Sequence, residues 1–134
     1  MLRSIGAIVV SLITWFLVAT VGNWLLRALI PGYAAVEVAM TFTLSMKLAR
    51  LVLGLVSSLF AGLIGAAMAK PGSHAPKVVA VLMLALFIPV HYMLWNRFPV
   101  WYHLFFLVTL APAILFGAAL LPKRAAGVTA TQGS

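Results

Sequence analysis

Val78 to Trp95 is an apolar run with no formal charge, and Asn96-Arg97-Phe98-Pro99 interrupts it before a second such run from Val100 to Leu121. A helix needs about 20 apolar residues to cross about 30 Å of hydrocarbon, so two runs of this length around a four-residue polar break predict a transmembrane helical hairpin. Tyr92, Trp95, Phe98, Trp101 and Tyr102 rim the break. Amphipathic aromatics of this kind prefer the headgroup level of a bilayer. The expectation is an integral membrane protein.

Composition agrees. The 134 residues are 65% hydrophobic and only 7% charged, against roughly 25% charged in an ordinary globular domain. There is no cysteine, which removes disulfides, thiolate metal sites and acylation. Nine basic residues face a single acid, Glu37, for a formal charge of +8. The bases stand singly or in pairs at the ends of apolar runs rather than on one face, the placement that bilayer orientation selects. Nucleic acid is therefore not an expected partner. The lipid bilayer is, with a homo-oligomer or a larger membrane complex as the protein context.

Four spans are expected, at about 4–26, 51–69, 78–95 and 100–121. The first apolar stretch follows Arg3 but outruns a signal-peptide core and has no Ala-x-Ala cleavage site after it, so it is read as retained. Lys70 to Lys77 contains two prolines and a glycine, a tight loop that makes spans two and three antiparallel neighbours. These spans form one domain over residues 1–122, an all-α bundle of four transmembrane helices, and 123–134 is expected to be a disordered polar tail.

Between spans one and two the pattern is mixed. Pro31-Gly32 marks a turn, and Thr41, Thr43 and Ser45 alternate with Phe42, Leu44 and Met46 at a period of two. A single helix from Ala34 to Ala69 would run about 54 Å, well beyond the hydrocarbon. The chain is expected to form an interfacial or re-entrant piece from about Ala34 that turns into span two near Thr43 to Lys47. Arg3, Lys70, Lys77, Lys123 and Arg124 then share one side, and Arg27, Lys47, Arg50 and Arg97 the other. This narrow majority predicts both termini on the cytoplasmic side, in a bacterial inner membrane.

Span two carries a packing pattern: Gly54, Ser58, Gly62 and Ala66 recur every four residues, beside a parallel row of Ser57, Ala61, Gly65 and Ala69. In lipid, small residues let backbones approach and gain dispersion contacts, so this face is expected to pack against another helix of the chain or of a second copy. Pro89 and Pro112 should bend spans three and four. His91 and His103 lie equally far from the hairpin turn and so at one depth, where two neutral imidazoles can bind a cofactor or pass a proton. They are the candidate cofactor-binding residues, although no particular cofactor and no metal are assigned. Glu37 should pair with a nearby base, Arg27, Lys47 or Arg50, of which Arg50 is the candidate partner.

No phosphate loop, nucleophile elbow or carboxylate pair is present, and the expectation is not an enzyme. The leading reading is a structural or accessory subunit. An oligomeric transporter or channel is the alternative, and its mark would be Thr20, Asn23 and His91 lining one cavity. A haem- or metal-binding anchor is the third reading.

Overall fold

A computed structural model describes residues 2–120. The tail expected at 123–134 lies outside the described residues. The described chain is helical throughout, in the order α1 (Leu2–Leu29), α2 (Tyr33–Glu37), α3 (Leu44–Met68), α4 (Ala75–Met93) and α5 (Val100–Leu120). All of these except α2 are long and apolar enough to cross a membrane, four helices in all.

Local chemistry sets the boundaries. Gly32 adopts a left-handed conformation (φ 78°) ahead of α2, and Met40 another (φ 57°) after it. These two reversals break the chain where a continuous helix would have been too long. Thr43 then caps α3, its hydroxyl accepting from the Met46 backbone N–H at 3.3 Å. Lys47 and Arg50, expected just before the second span, therefore lie inside α3. The period of two over Thr41 to Met46 describes only the short unwound stretch Thr41–Thr43, and Leu44 onward is helical. Ser73 accepts from the Ala75 N–H at 3.1 Å and Pro76 occupies the first turn, so α4 starts three residues before the expected Val78. It ends at Met93, two residues short of Trp95.

Helix α3 lies between α1 and α5 and packs on both, while α4 packs on α5 and α1. A Cβ at Gly62 would run into the Ile114 carbonyl of α5, and one at Gly117 into the Leu59 carbonyl of α3, so each glycine admits the other helix's backbone. Gly65 performs the same service toward α1, where a Cβ would meet Ser11. Gly62 thus faces α5 and Gly65 faces α1, both helices of the same chain. At the far end Arg3 donates from Nε to the Met68 carbonyl at 2.8 Å, covering an orphan carbonyl of the last turn of α3.

The polarity is inverted relative to a water-soluble domain. Ser11, Ser57, Ser58, His91 and His103 are buried, while Ile13, Leu17, Val81, Val108 and Phe116 point outward. Every buried side-chain nitrogen or oxygen among the described residues has a partner. Ser11 donates to the Ala61 carbonyl at 2.6 Å and Trp15 Nε1 to Ser58 Oγ at 3.0 Å. An apolar exterior around satisfied polar contacts is what lipid as solvent demands, so the fold is compatible with a multi-pass membrane protein.

Candidate functional site

The end of the molecule that holds both irregular connections, 30–43 and 94–99, gathers most of its unusual chemistry. Gly32 and the turn after α2 bring Tyr33 and Phe42 over the start of α3. The Asn96–Pro99 turn brings Phe98 and Tyr102 to the same place. Arg50, one and a half turns into α3, is enclosed by them. Its Nη1 donates to the Tyr33 hydroxyl at 2.8 Å and its Nε to the Tyr102 hydroxyl at 3.3 Å. Its Cζ stands 4.7 Å from the centre of the Phe42 ring, a cation–π contact.

Glu37 does not pair with Arg50. Its carboxylate takes both arms of Arg27, Nε to Oε2 at 2.6 Å and Nη2 to Oε1 at 2.7 Å. The one-turn helix α2 places Glu37 directly beside the last turn of α1, whereas Arg50 sits behind Tyr33. The bonded guanidinium holds the Glu37 carboxyl below its ordinary pKa, with a smaller contribution from Asn23. Asn23 Nδ2 donates to Glu37 Oε1 at 3.1 Å, and Asn23 Oδ1 accepts from the Tyr33 hydroxyl at 3.0 Å. One continuous network therefore runs from Arg27 through Glu37, Asn23 and Tyr33 to Arg50 and Tyr102. With two guanidiniums and one carboxylate, it retains one positive charge.

His91 and His103 face each other, Nδ1 to Nδ1 at 2.7 Å, their rings nearly perpendicular with centroids 5.0 Å apart. Two nitrogens sharing a tetrahedral metal at about 2.0 Å each would stand about 3.3 Å apart. The contact is shorter than that and has the length of a hydrogen bond, so as placed these two nitrogens hold a proton between them. Among the described residues no group of three or more His, Cys, Asp or Glu side chains could hold a metal ion.

The tautomers follow from the outer contacts. His103 Nε2 lies 3.3 Å from the Trp95 carbonyl, which can only accept, so Nε2 carries the hydrogen. Neutral His103 then presents a lone pair at Nδ1 and His91 donates its Nδ1–H to it. Nε2 of neutral His91 is left as an acceptor. It has no partner among the described residues, and since no buried nitrogen there is unpartnered, it opens to a surface.

His91 also lines a cavity of about 430 Å³ between the C-terminal halves of α1 and α4, with α3 and α5 behind it. Trp15, Phe87 and Phe106 meet on its wall in tilted or edge-on contacts, with Trp15 centroids 4.8 Å from Phe87 and 6.3 Å from Phe106. Thr20, Asn23, Arg27, Arg50, His91 and Tyr102 supply its polar lining. The aromatic rim expected around the hairpin turn divides accordingly: Tyr92, Trp95 and Trp101 are exposed, while Phe98 and Tyr102 are buried against the Arg50 cluster.

Sequence reasoning singled out the histidines, Glu37 and Arg50, but not the network that joins Asn23, Tyr33 and Tyr102 to the two arginines. Its members come from three separate stretches of chain, and directly bonded partners lie up to 52 residues apart, as Arg50 and Tyr102 do. The one available signal was charge: an arginine within reach of an apolar run must find partners. A scan against protein-family models and searches of curated proteins and of solved structures each found no match.

Proposed function

We propose that this protein is a non-catalytic, multi-pass membrane protein, an accessory subunit that works by holding a membrane-soluble molecule in the cavity between α1 and α4. The cavity itself carries the reading. Its volume falls within the roughly 300–1,000 Å³ of small-molecule sites, and it has their composition, aromatic walls with a few convergent polar groups. The single acid is engaged by an arginine and is not free to act as a general base. Native mass spectrometry of the protein extracted in mild detergent is expected to show a retained molecule at one per chain. Val90→Trp, which fills the mouth from an exposed lining position, should abolish it. Equal spectra for the two proteins, or no adduct on either, would remove the reading.

A transporter is the second reading, favoured by one observation: Thr20, Asn23 and His91 do line one cavity. Against it, the side chains beyond Trp15 form an apolar core of Ala61, Val79, Met83 and Ile114 that offers a polar solute no path. Counterflow of a bound solute in proteoliposomes would decide for transport, and binding without counterflow for the accessory role.

The reading also places the four helices as a compact bundle in a bacterial inner membrane, α2 at its surface, with both termini in the cytoplasm. The five-to-four distribution of basic residues supports this orientation. A C-terminal fusion is expected to be active with a cytoplasmic reporter and silent with one that matures only outside. The reverse result would invert the topology.

A further inference from the structure

The reading of the cavity as a binding site leaves open what it binds, and the hydrogen-bond inventory of its wall answers in chemical terms. Arg50 uses Nε and Nη1 on two phenols and has no carboxylate partner among the described residues. Its Nη2 makes no hydrogen bond there and, as no buried nitrogen is unpartnered, is open. The Tyr102 hydroxyl accepts from Arg50, and its own hydrogen has no acceptor among the described residues. Both residues line the cavity, so that part of the wall offers donors and the spare positive charge of the network. His91 offers the opposite, a lone pair at Nε2. Its ring lies 6.2 Å from the Tyr102 ring, centroid to centroid, so His91 and Tyr102 are neighbours in the lining.

A ligand matching this wall carries an oxyanion for Arg50 and Tyr102 and a hydroxyl donor next to it for His91. Charge-assisted bonds to a guanidinium are the strongest contacts available to it. Apart from Thr20, Asn23 and Arg27, the rest of the lining is apolar and largely aromatic, and it reaches the outer face of the helices through Phe16, Trp24 and Val90, all exposed. A free anion would leave those rings without a partner, whereas an acyl chain leaving between α1 and α4 would cover them. We infer that the cavity binds an anionic phospholipid whose head bears a hydroxyl beside the phosphate, with the phosphate at Arg50 and Tyr102 and the hydroxyl on Nε2 of His91. The bilayer is then a source of a specific ligand as well as the solvent.

The inference rests on the cavity being a binding site, and the test separates the two. The full chain, delipidated in detergent, is titrated with phosphatidylglycerol, with phosphatidylmethanol (an anion lacking the hydroxyl), with phosphatidylcholine and with glycerol phosphate, following Tm and adducts in native mass spectra. Phosphatidylglycerol is expected to raise Tm saturably with one adduct per chain. Phosphatidylmethanol should need several-fold more lipid, and the other two should leave Tm unchanged. Arg50→Gln should raise half-saturation roughly tenfold or more, since a hydrogen bond to a charged group is lost. Arg97→Gln, a basic residue outside the cavity, should leave it unchanged. Because Arg50→Gln also disturbs the network, Val90→Trp provides the second variant: normal Tm without lipid and no response to it. Equal responses to phosphatidylcholine, to phosphatidylmethanol or to glycerol phosphate would each overturn the assignment. A retained neutral molecule with no phosphatidylglycerol response would overturn it too, while leaving the binding role intact. No adduct of any kind would end both.

Discussion

Gly62→Leu is expected to remove most of the folded protein recovered in detergent, and Gly117→Leu to do the same. At each position a new Cβ meets a carbonyl of the opposite helix, Ile114 for Gly62 and Leu59 for Gly117. Backbone cannot swing aside as a side chain can, so α3 and α5 must separate along their length. Overpacking typically costs about 1–3 kcal/mol, and the absence of a flexible neighbour puts these variants at the upper end. Separation also forfeits the close-range dispersion that replaces hydrophobic force between helices in lipid. The measurement is thermal unfolding with monodispersity by size exclusion, against Val52→Leu, an outward position on the same helix. A Gly62→Leu protein with the Tm of Val52→Leu would mean that α3 and α5 do not touch at this seam. Both glycines face helices of their own chain, so the loss should appear in the monomer rather than in a dimer band alone.

The second large effect is expected from Trp15→Ala. Trp15 is 5% exposed and stands where α1, α3, α4 and α5 meet, against Ala61, Val79, Met83, Leu110 and Ile114. Its truncation removes the edge-on and tilted contacts with Phe87 and Phe106 and extends the cavity inward. Loss of a buried tryptophan costs about 3–5 kcal/mol, mostly through the void left behind. Trp15→Phe separates the two contributions. It keeps a ring but loses the Nε1–H bond to Ser58 Oγ, and such bonds average about 0.6 kcal/mol within membranes. Ser58 still donates to the Gly54 carbonyl at 2.7 Å, so it is not stranded. Trp15→Phe is therefore expected to unfold close to wild type and Trp15→Ala far below it. Equal losses in the two would assign the stability to the hydrogen bond and not to packing.

The all-helical class, the four long apolar helices, the turn after Lys70 and the break before α3 were legible in local sequence, although the last three residues of the expected 70–77 loop belong to α4. Each depends on the solvation of a contiguous stretch or on a nearby turn residue. Hydrocarbon accepts about 20 apolar residues as helix and rejects unsatisfied backbone, wherever in a fold they lie. The equal spacing of His91 and His103 from the hairpin turn likewise carried information about depth. It carried none about rotation, because turning either helix by a residue or two changes which face its imidazole presents while leaving its depth almost unaltered.

Tertiary structure alone decided the partners. Which base takes Glu37 depended on α2 closing against the end of α1, which put Arg27 within 2.6 Å and left Arg50 to two phenols. The meeting of the histidines as a proton-sharing pair required both helix rotations and the Trp95 carbonyl together. The row of small residues on α3 announced a contact, but Ile114 and Ser11 had to be in place before it had an address. Membership of the four helices is a property of each stretch and its solvent. The charged cavity between α1 and α4 is a property of distances among residues that the chain itself holds far apart, and those exist only after the helices have packed.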